Sequence, residues 1–378
     1  MKFIHLSDLH LGRRLNEFSL IEDQKYILGQ IVDIIKNENP ECVILAGDIY
    51  DKPVPSAEAV ELFDNFLVKL SKMNLSVFVI SGNHDSAERI AFASRILKNT
   101  GVYMSPVYDG NTEKVTFTDE HGNVNVYMLP FIKPTSVRRF FPDSQIESYT
   151  DAVKTAVENM CVDTAERNIL VTHQFVTGAV VSDSEELSVG GSDNIDIDVF
   201  KDFDYVALGH IHSPQNMEKG RVRYSGSILK YSVSEANQKK SLSVIEVNEK
   251  GNTEVRTVDL VPLRDLRKIR GTYDELTLLE NYKNTNTNDY IHVTLTDEND
   301  VVDAVIKLRT IYPNIVKLEY DNARTASFNQ IDNSGKSEAK SEIELFSELF
   351  ELQNNVQMTS EQQEIIENLI AEIREEHI

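Results

Sequence analysis

The sequence predicts an α/β fold, a layered α-β-β-α sandwich with a small α/β capping domain and a C-terminal helical tail. Three observations carry that expectation. Short apolar runs alternate with amphipathic segments through the first two thirds of the chain, a later series of apolar runs is separated only by polar turns, and a polar stretch cuts off two amphipathic segments at the end. At 378 residues the chain exceeds one ordinary domain of roughly 100 to 200 residues, so a catalytic domain with appendages is expected.

Lys2–Leu6, Cys42–Ala46 and Val77–Ile80 read as strands. Between the last two lies the helical pattern Ala57–Met73, with Val60, Phe63, Leu67 and Leu70 at three- and four-residue spacing. Val126–Phe131, Ile169–Phe175 and Tyr205–Leu208 extend the sheet, and Arg221–Ser227, Ser241–Val247 and Glu254–Leu260 are expected to form a second sheet against it. After Pro262 come the basic stretch Arg264–Arg270, a strand (Tyr290–Leu295), a helix (Val301–Tyr312) and a strand (Asn314–Glu319). The expected domains are therefore 1–262, a small α/β unit 263–320, a linker 321–340 rich in Asn, Ser, Lys and Gly, and a tail 341–378. In the tail, Leu345, Phe346, Leu349, Phe350 and Leu352 form one apolar stripe and Ile365, Ile366, Leu369, Ile370 and Ile373 another. Ser341-x-x-Glu344 and Thr359-x-x-Gln362 match the capping box that opens a helix. Two such helices cannot bury both stripes alone, which points to docking on another surface.

Composition is that of an ordinary folded protein, with 41% hydrophobic and 26% charged residues. No run reaches the about 18 apolar residues of a membrane span, and the first residues lack a signal-peptide layout, so a cytoplasmic protein is expected. Cys42 and Cys161 have no CxxC partner and read as reduced, buried thiols. The net charge of −23 opposes a protein that grips a polyanion over its whole surface.

The chemistry lies in five short signatures, each closing an apolar strand, where the loops of an open α/β sheet build sites. They are Asp8-Leu9-His10, Gly47-Asp48-Ile49-Tyr50-Asp51, Gly82-Asn83-His84-Asp85, His173 and Gly209-His210-Ile211-His212, and they take up five of the nine histidines. Carboxylate, imidazole and carboxamide donors without thiolate suit Mn²⁺, Fe²⁺, Mg²⁺ or Zn²⁺ rather than structural zinc. The i, i+2 spacing of Asp8/His10 and of His210/His212 points both side chains one way from extended backbone. Taken singly, each piece reads equally as a turn or a packed histidine; their order and context make the set specific. His5, His121, His292 and His377 fall outside it.

The ordered set DxH, GDxxD, GNHD, H and GHxH resembles the calcineurin-like metallophosphoesterase superfamily, and within it the SbcD nucleases of DNA repair. The Ser7–Gly12 start, the Gly47–Lys52 run and Tyr224-Ser225-Gly226-Ser227 carry the resemblance, which spans nearly the whole chain. It implies two divalent cations, with Mn²⁺ as the working metal. One would lie among Asp8, His10, Asp48 and His212, the second among Asp48, Asn83, His173 and His210, with Asp48 shared. It implies that His84 stands beside the scissile phosphate with Asp85 orienting it, and that Asp51 supports the site from behind. It also implies a homodimer, with contact faces near Val60–Leu70 and Ile90–Leu97, DNA as substrate in exonuclease and endonuclease modes, and a coiled-coil ATPase partner of the SbcC type bound by the terminal helices. No P-loop is present, so any ATP dependence belongs to that partner.

Two other readings compete. The same metal constellation serves hydrolases of phosphoproteins, nucleotides or phospholipids. A scaffold that has kept the fold without catalysis would also explain the acidic surface, although such scaffolds have no use for a full ligand set. The basic pairs Arg13-Arg14, Arg138-Arg139, Arg221/Arg223 and Arg264–Arg270 are the candidate phosphate contacts, each with a solvated surface pair as its plain alternative.

Overall fold

The computed structural model describes residues 1–185, 193–322, 342–354 and 357–376. Two compact units divide the chain, Met1–Leu266 and Arg267–Ile378.

The first unit stacks two six-stranded sheets. The strands of these two sheets are β1 (Lys2–Leu6), β2 (Cys42–Ala46), β3 (Ser76–Ile80), β4 (Val102–Met104), β5 (Glu113–Asp119), β6 (Gly122–Leu129), β7 (Arg167–His173), β8 (Tyr205–Gly209), β9 (Gln215–Glu218), β10 (Val222–Tyr224), β11 (Ser241–Val247) and β12 (Thr253–Asp259). One sheet runs β12-β11-β1-β2-β3-β4 and the other β9-β10-β8-β7-β6-β5. Each contains a parallel set that approaches the site: β1, β2, β3 and β4 in the first, and β6, β7, β8 and β10 in the second. Side chains of a strand alternate faces. Phe3, Ile44, Ala46, Phe78 and Ile80 from one sheet therefore meet Val124, Val126, Met128, Ile169, Val171 and Ala207 from the other in a common core. The opposite face of the second sheet, through Tyr127, Leu129, Leu170, Val206 and Leu208, packs on Ala152, Val153, Ala156 and Val157 of the helix Tyr149–Asn159.

This arrangement corrects the expected sheet membership. The runs at 126, 169 and 205 do not extend the first sheet but found the second, whereas Ser241–Val247 returns to pair antiparallel with β1 and carries its hairpin partner, Thr253–Asp259, to the edge of the first sheet. Strands buried on both faces carry no periodic signal that names their neighbours. The helix Ala57–Ser71 is present, but it buries Ala59, Phe63, Phe66 and Leu70, leaving Val60 and Val68 exposed. Cys42 is buried as expected; Cys161 is exposed, in the left-handed turn that follows the helix Tyr149–Asn159.

In the second unit, β13 (Leu266–Gly271), β14 (Tyr290–Leu295) and β15 (Ile315–Tyr320) form a sheet in that order over a core of Ile291, Val293, Leu295, Leu308, Tyr312 and Ile315. The expected helix Val301–Tyr312 shortens to Ala304–Leu308; its start is set by Asp303, which takes a left-handed φ of 56°. The tail helices are Glu342–Asn354 and Ser360–Glu376, and they contact each other. Leu345, Phe346, Leu349, Ile365 and Leu369 remain exposed. The Thr359/Gln362 capping box is formed in both directions, at 2.9 and 3.3 Å. The box expected at Ser341 and most of the expected linker lie outside the described residues; Asn322, within it, is buried and donates to the Asp297 carbonyl at 3.0 Å.

Candidate metal centre

Every signature residue sits at or just beyond the carboxyl end of a parallel strand. Asp8 and His10 follow β1, Asp48 follows β2, and Asn83, His84 and Asp85 follow β3; from the facing sheet His173 ends β7, and His210 and His212 follow β8. Parallel neighbours end together, so five loops meet at one rim. The turns are tight. Asp8, His10, Asp48 and His210 all have positive φ, at 52°, 43°, 50° and 105°, conformations that L-residues adopt at a cost of about 1–3 kcal/mol each. The glycines make room: a Cβ on Gly82 would lie 2.1 Å from Asp48 Oδ1, and one on Gly209 would lie 1.9 Å from the Ala46 carbonyl oxygen.

Two main clusters of donors result, sharing Asp8, and a third group, His10, Asp48 and His84, overlaps both. In the first, Asp8, His10 and His212 offer ligand atoms within 4.8 Å of one another. The Nε2 atoms of His10 and His212 face each other at 3.0 Å. Asp8 Oδ1 accepts the His210 backbone N–H at 3.0 Å, while Asp8 Oδ2 is buried without a hydrogen-bond partner. In the second, Asp8, Asp48 and His173 form another close group. Asn83 Oδ1 lies 3.0 Å from His173 Nε2 and 2.9 Å from His210 Nδ1. Asp48 accepts the His84 backbone N–H on Oδ1 at 2.9 Å, which leaves Oδ2 between the clusters, 3.6 Å from His10 Nε2 and 3.3 Å from His173 Nε2.

Two of the imidazoles are aimed from behind. His173 Nδ1 donates to the Ala46 carbonyl at 2.8 Å, so its Nε2 lone pair turns inward. His212 Nδ1 meets Ser184 Oγ at 2.8 Å and Glu235 Oε1 at 3.2 Å, and Glu235 in turn is paired with Lys240, whose ammonium also donates to the His212 carbonyl at 2.9 Å. Burial would raise the Glu235 carboxyl, but His212 and Lys240 hold it well below the usual range. Gln24 fixes the first loop, accepting from Gly12 N–H at 2.9 Å and donating to the His10 carbonyl at 2.7 Å; Tyr231 donates to the Leu9 carbonyl. Sequence reasoning missed Glu235, Lys240, Ser184, Gln24 and Tyr231, because no local pattern marks them.

Asp85 takes a different part from the one expected. Its carboxylate accepts three backbone N–H groups, from Ile49 at 3.1 Å, Tyr50 at 2.9 Å and Gly82 at 2.9 Å, and so binds two loops together. The imidazole of His84 rests on the Asp51 carbonyl instead, at 3.2 Å from Nδ1. His84 is half-buried, unlike the fully buried His10 and His173, and its ring centroid is 4.8 Å from that of His10. Asp51 accepts from Arg13 at 2.7 Å.

Without cations this concentration of inward lone pairs must be offset by protons. Burial raises Asp8 to about 6 against the pull of His173 and His212. Burial also works against a charged His173, but Asp48 overrides it and raises the imidazole to about 9. The orphaned Asp8 oxygen, the paired Nε2 atoms and the shared Asp48 oxygen fit a pair of divalent cations, a mixed O/N donor set without thiolate.

The calcineurin-like phosphoesterase family matches residues 1–214, and the SbcD_C family, described as the type 5 capsule protein repressor C-terminal domain, matches residues 262–354. The SbcD subunit of the SbcCD nuclease from Staphylococcus epidermidis is 36% identical over 338 residues, covering 88% of this chain and 89% of that protein. The chain belongs to the SbcD family of calcineurin-like phosphoesterases. Members of this family are metal-dependent, and the two donor clusters stand where the matched phosphoesterase region brings its strand ends together. Among solved structures, a dimetal phosphatase from Danio rerio is 13% identical with a TM-score of 0.41, covering 69% of this chain and 99% of that one. The protein TT1561 of Thermus thermophilus is 11% identical with a TM-score of 0.36, covering 68% and 98%.

Proposed function

We propose that this SbcD-family protein hydrolyses DNA phosphodiester bonds with two Mn²⁺ ions, as a double-strand exonuclease and a single-strand or hairpin endonuclease. In this reading it acts as a homodimer with an SbcC-type coiled-coil ATPase in DNA end processing and repair. The observation that carries the reading is the convergence of Asp8, His10, Asp48, His173 and His212, with Asn83 and His210 in contact beside them and the half-buried His84 against His10 and Asp48. The relative's name, a nuclease subunit, supports DNA as the substrate.

Asp8, His10, Asp48 and His212 would hold one cation and Asp48, Asn83, His173 and His210 the other. When bound, such a pair lowers the pKa of water and neutralises charge gathering on the phosphate during in-line attack. His84 supplies what the ligands cannot. The Asp51 carbonyl accepts from its Nδ1–H and so fixes the ring, leaving Nε2 as the atom that exchanges a proton with a phosphate oxygen or the leaving oxygen. Asp85 keeps the loops of Asp48 and Asn83 in register by its three backbone contacts. Exposed Val60, Val68, Phe92 and Ile96 supply an apolar face for the homodimer, which light scattering at micromolar concentration tests.

The test is cleavage of end-labelled duplex DNA and of an aryl phosphodiester, with Mn²⁺ and with EDTA. His84→Gln should keep Mn²⁺ binding by calorimetry while losing about 10²–10⁴-fold in turnover on DNA. Asp48→Asn should lose metal and activity on both substrates. Hydrolysis of the small diester with DNA left intact, even beside the ATPase, would move the substrate to another phosphoester class.

A further inference from the structure

The acidic chain needs a path for its polyanionic substrate, and the structure removes most candidates. Arg13 is bound to Asp51, Arg221 to Glu218 and two backbone carbonyls, Arg223 is buried on Ser243 and Asn216, Arg264 is bound to Asp23, Arg267 to Asp289 and Arg270 to Asp321. These arginines hold the fold.

The segment Phe131-Ile132-Lys133-Pro134-Thr135-Ser136-Val137-Arg138-Arg139-Phe140-Phe141 is different. It contains no acid. Ile132, Pro134 and Val137 are buried and Phe141 packs against the core of the second sheet, which anchors the strip. Lys133, Arg138, Arg139 and Phe140 are exposed, and the three cations have no ion pair among the described residues. Phe131 is half-exposed and is not part of the core between the two sheets or of the core under the helix Tyr149–Asn159. Its backbone is pinned by a bond from its N–H to the Ser81 carbonyl at 2.9 Å, on the loop that leads to Asn83. Its ring lies 6.3 Å, edge-on, from that of His173, and the Lys133 ammonium lies 5.9 Å from the Phe131 ring centre. Arg139 lies over Phe140 at 5.7 Å. Aromatic faces interleaved with unpaired cations are the pattern of a single-stranded nucleic-acid track, where bases stack and phosphates are neutralised.

We propose that residues 131–140 are the track along which a DNA strand enters the metal centre: Phe131 stacks on the base beside the scissile phosphate, Lys133 binds the next phosphate, and Arg138 and Arg139 bind phosphates farther out. The proposal rests on the nuclease reading and names how that site holds its substrate. Four variants of the full chain, loaded with Mn²⁺, test it: Phe131→Ala, Phe131→Trp, Phe131→Leu and the triple Lys133→Ala/Arg138→Ala/Arg139→Ala. Each is measured on a single-stranded oligonucleotide and on bis(4-nitrophenyl) phosphate. The triple variant should lose at least tenfold more in kcat/KM on DNA than on the small diester. Its log–log salt dependence of DNA binding should flatten by about 0.7 for each phosphate contact removed, so by about 2. Phe131→Ala should raise KM for DNA, Phe131→Trp should restore it, and Phe131→Leu, which keeps bulk without a π face, should not. A triple variant with the wild-type salt slope and the wild-type ratio between substrates overturns the track while leaving the nuclease standing. Wild-type protein that opens the small diester but neither binds nor cuts DNA overturns the nuclease reading first, and the track with it.

Discussion

An imidazole is a good metal ligand only while its far nitrogen is held, and at His212 that hold is a buried Glu235 backed by Lys240. Replacing Glu235 by Gln keeps the shape but removes the charge that favours a proton on Nδ1. It also leaves the Lys240 ammonium buried against a neutral amide. Mn²⁺ affinity or turnover should fall about 10–100-fold, with calorimetry and the aryl diester as readouts. An unchanged affinity would mean that Ser184 alone orients the ring. At this scale the sequence was most informative for the ligands, because most are clustered within a few residues of a strand end, a local signal. Glu235 and Lys240 lie 23 and 28 residues beyond His212, in a short 3-10 turn and a strand entry, where nothing in the neighbouring sequence distinguishes a buried ion pair from surface charge. The arginine pairs failed in the opposite sense: they look alike in sequence, and only the acids facing them in space separate those that hold the fold from those that stay free.

Among the elements, β1 and β8 are tied by one histidine. His5 bonds the Tyr205 hydroxyl at 2.9 Å and the Leu208 carbonyl at 3.1 Å across the two sheets, and burial, with Arg223 nearby, lowers it to about 3. The unfolded chain takes up this proton near the ordinary histidine value of about 6.5, whereas the folded protein resists it until about pH 3. Between those values the unfolded state carries the extra proton, so His5 makes stability fall as pH falls, by about 1.4 kcal/mol per pH unit. Urea titrations at successive pH values, in chelator so that metal release does not enter, should show His5→Gln with a shallower loss over that window than wild type. Equal slopes would assign the acid sensitivity to other groups. The strand positions were legible from their apolar runs, but the partner of each was not. Antiparallel return of Ser241–Val247 to β1 depends on cross-sheet packing that a linear pattern does not record.

For the whole molecule, the tail helices expose Leu345, Phe346, Leu349, Ile365 and Leu369 although they contact each other. If they bind the coiled-coil ATPase, a chain ending at Lys340 should keep hydrolysis of the aryl diester within about twofold while ceasing to co-elute with that ATPase on gel filtration; retained co-elution would place the contact elsewhere. The helices were legible from their spacing, whereas the surface that covers them is not written in the chain. The metal centre has a consequence at this scale as well. Its donors come from both sheets, Asp8, His10, Asp48 and Asn83 from the loops of one and His173, His210 and His212 from the strand ends and loops of the other. Bound cations therefore rivet the two halves of the first unit, and by mass action they add to its folding free energy as their concentration rises above the dissociation constant. A cell starved of the working metal would lose catalytic turnover and also make the polypeptide easier prey for proteases, so its abundance would track the metal supply.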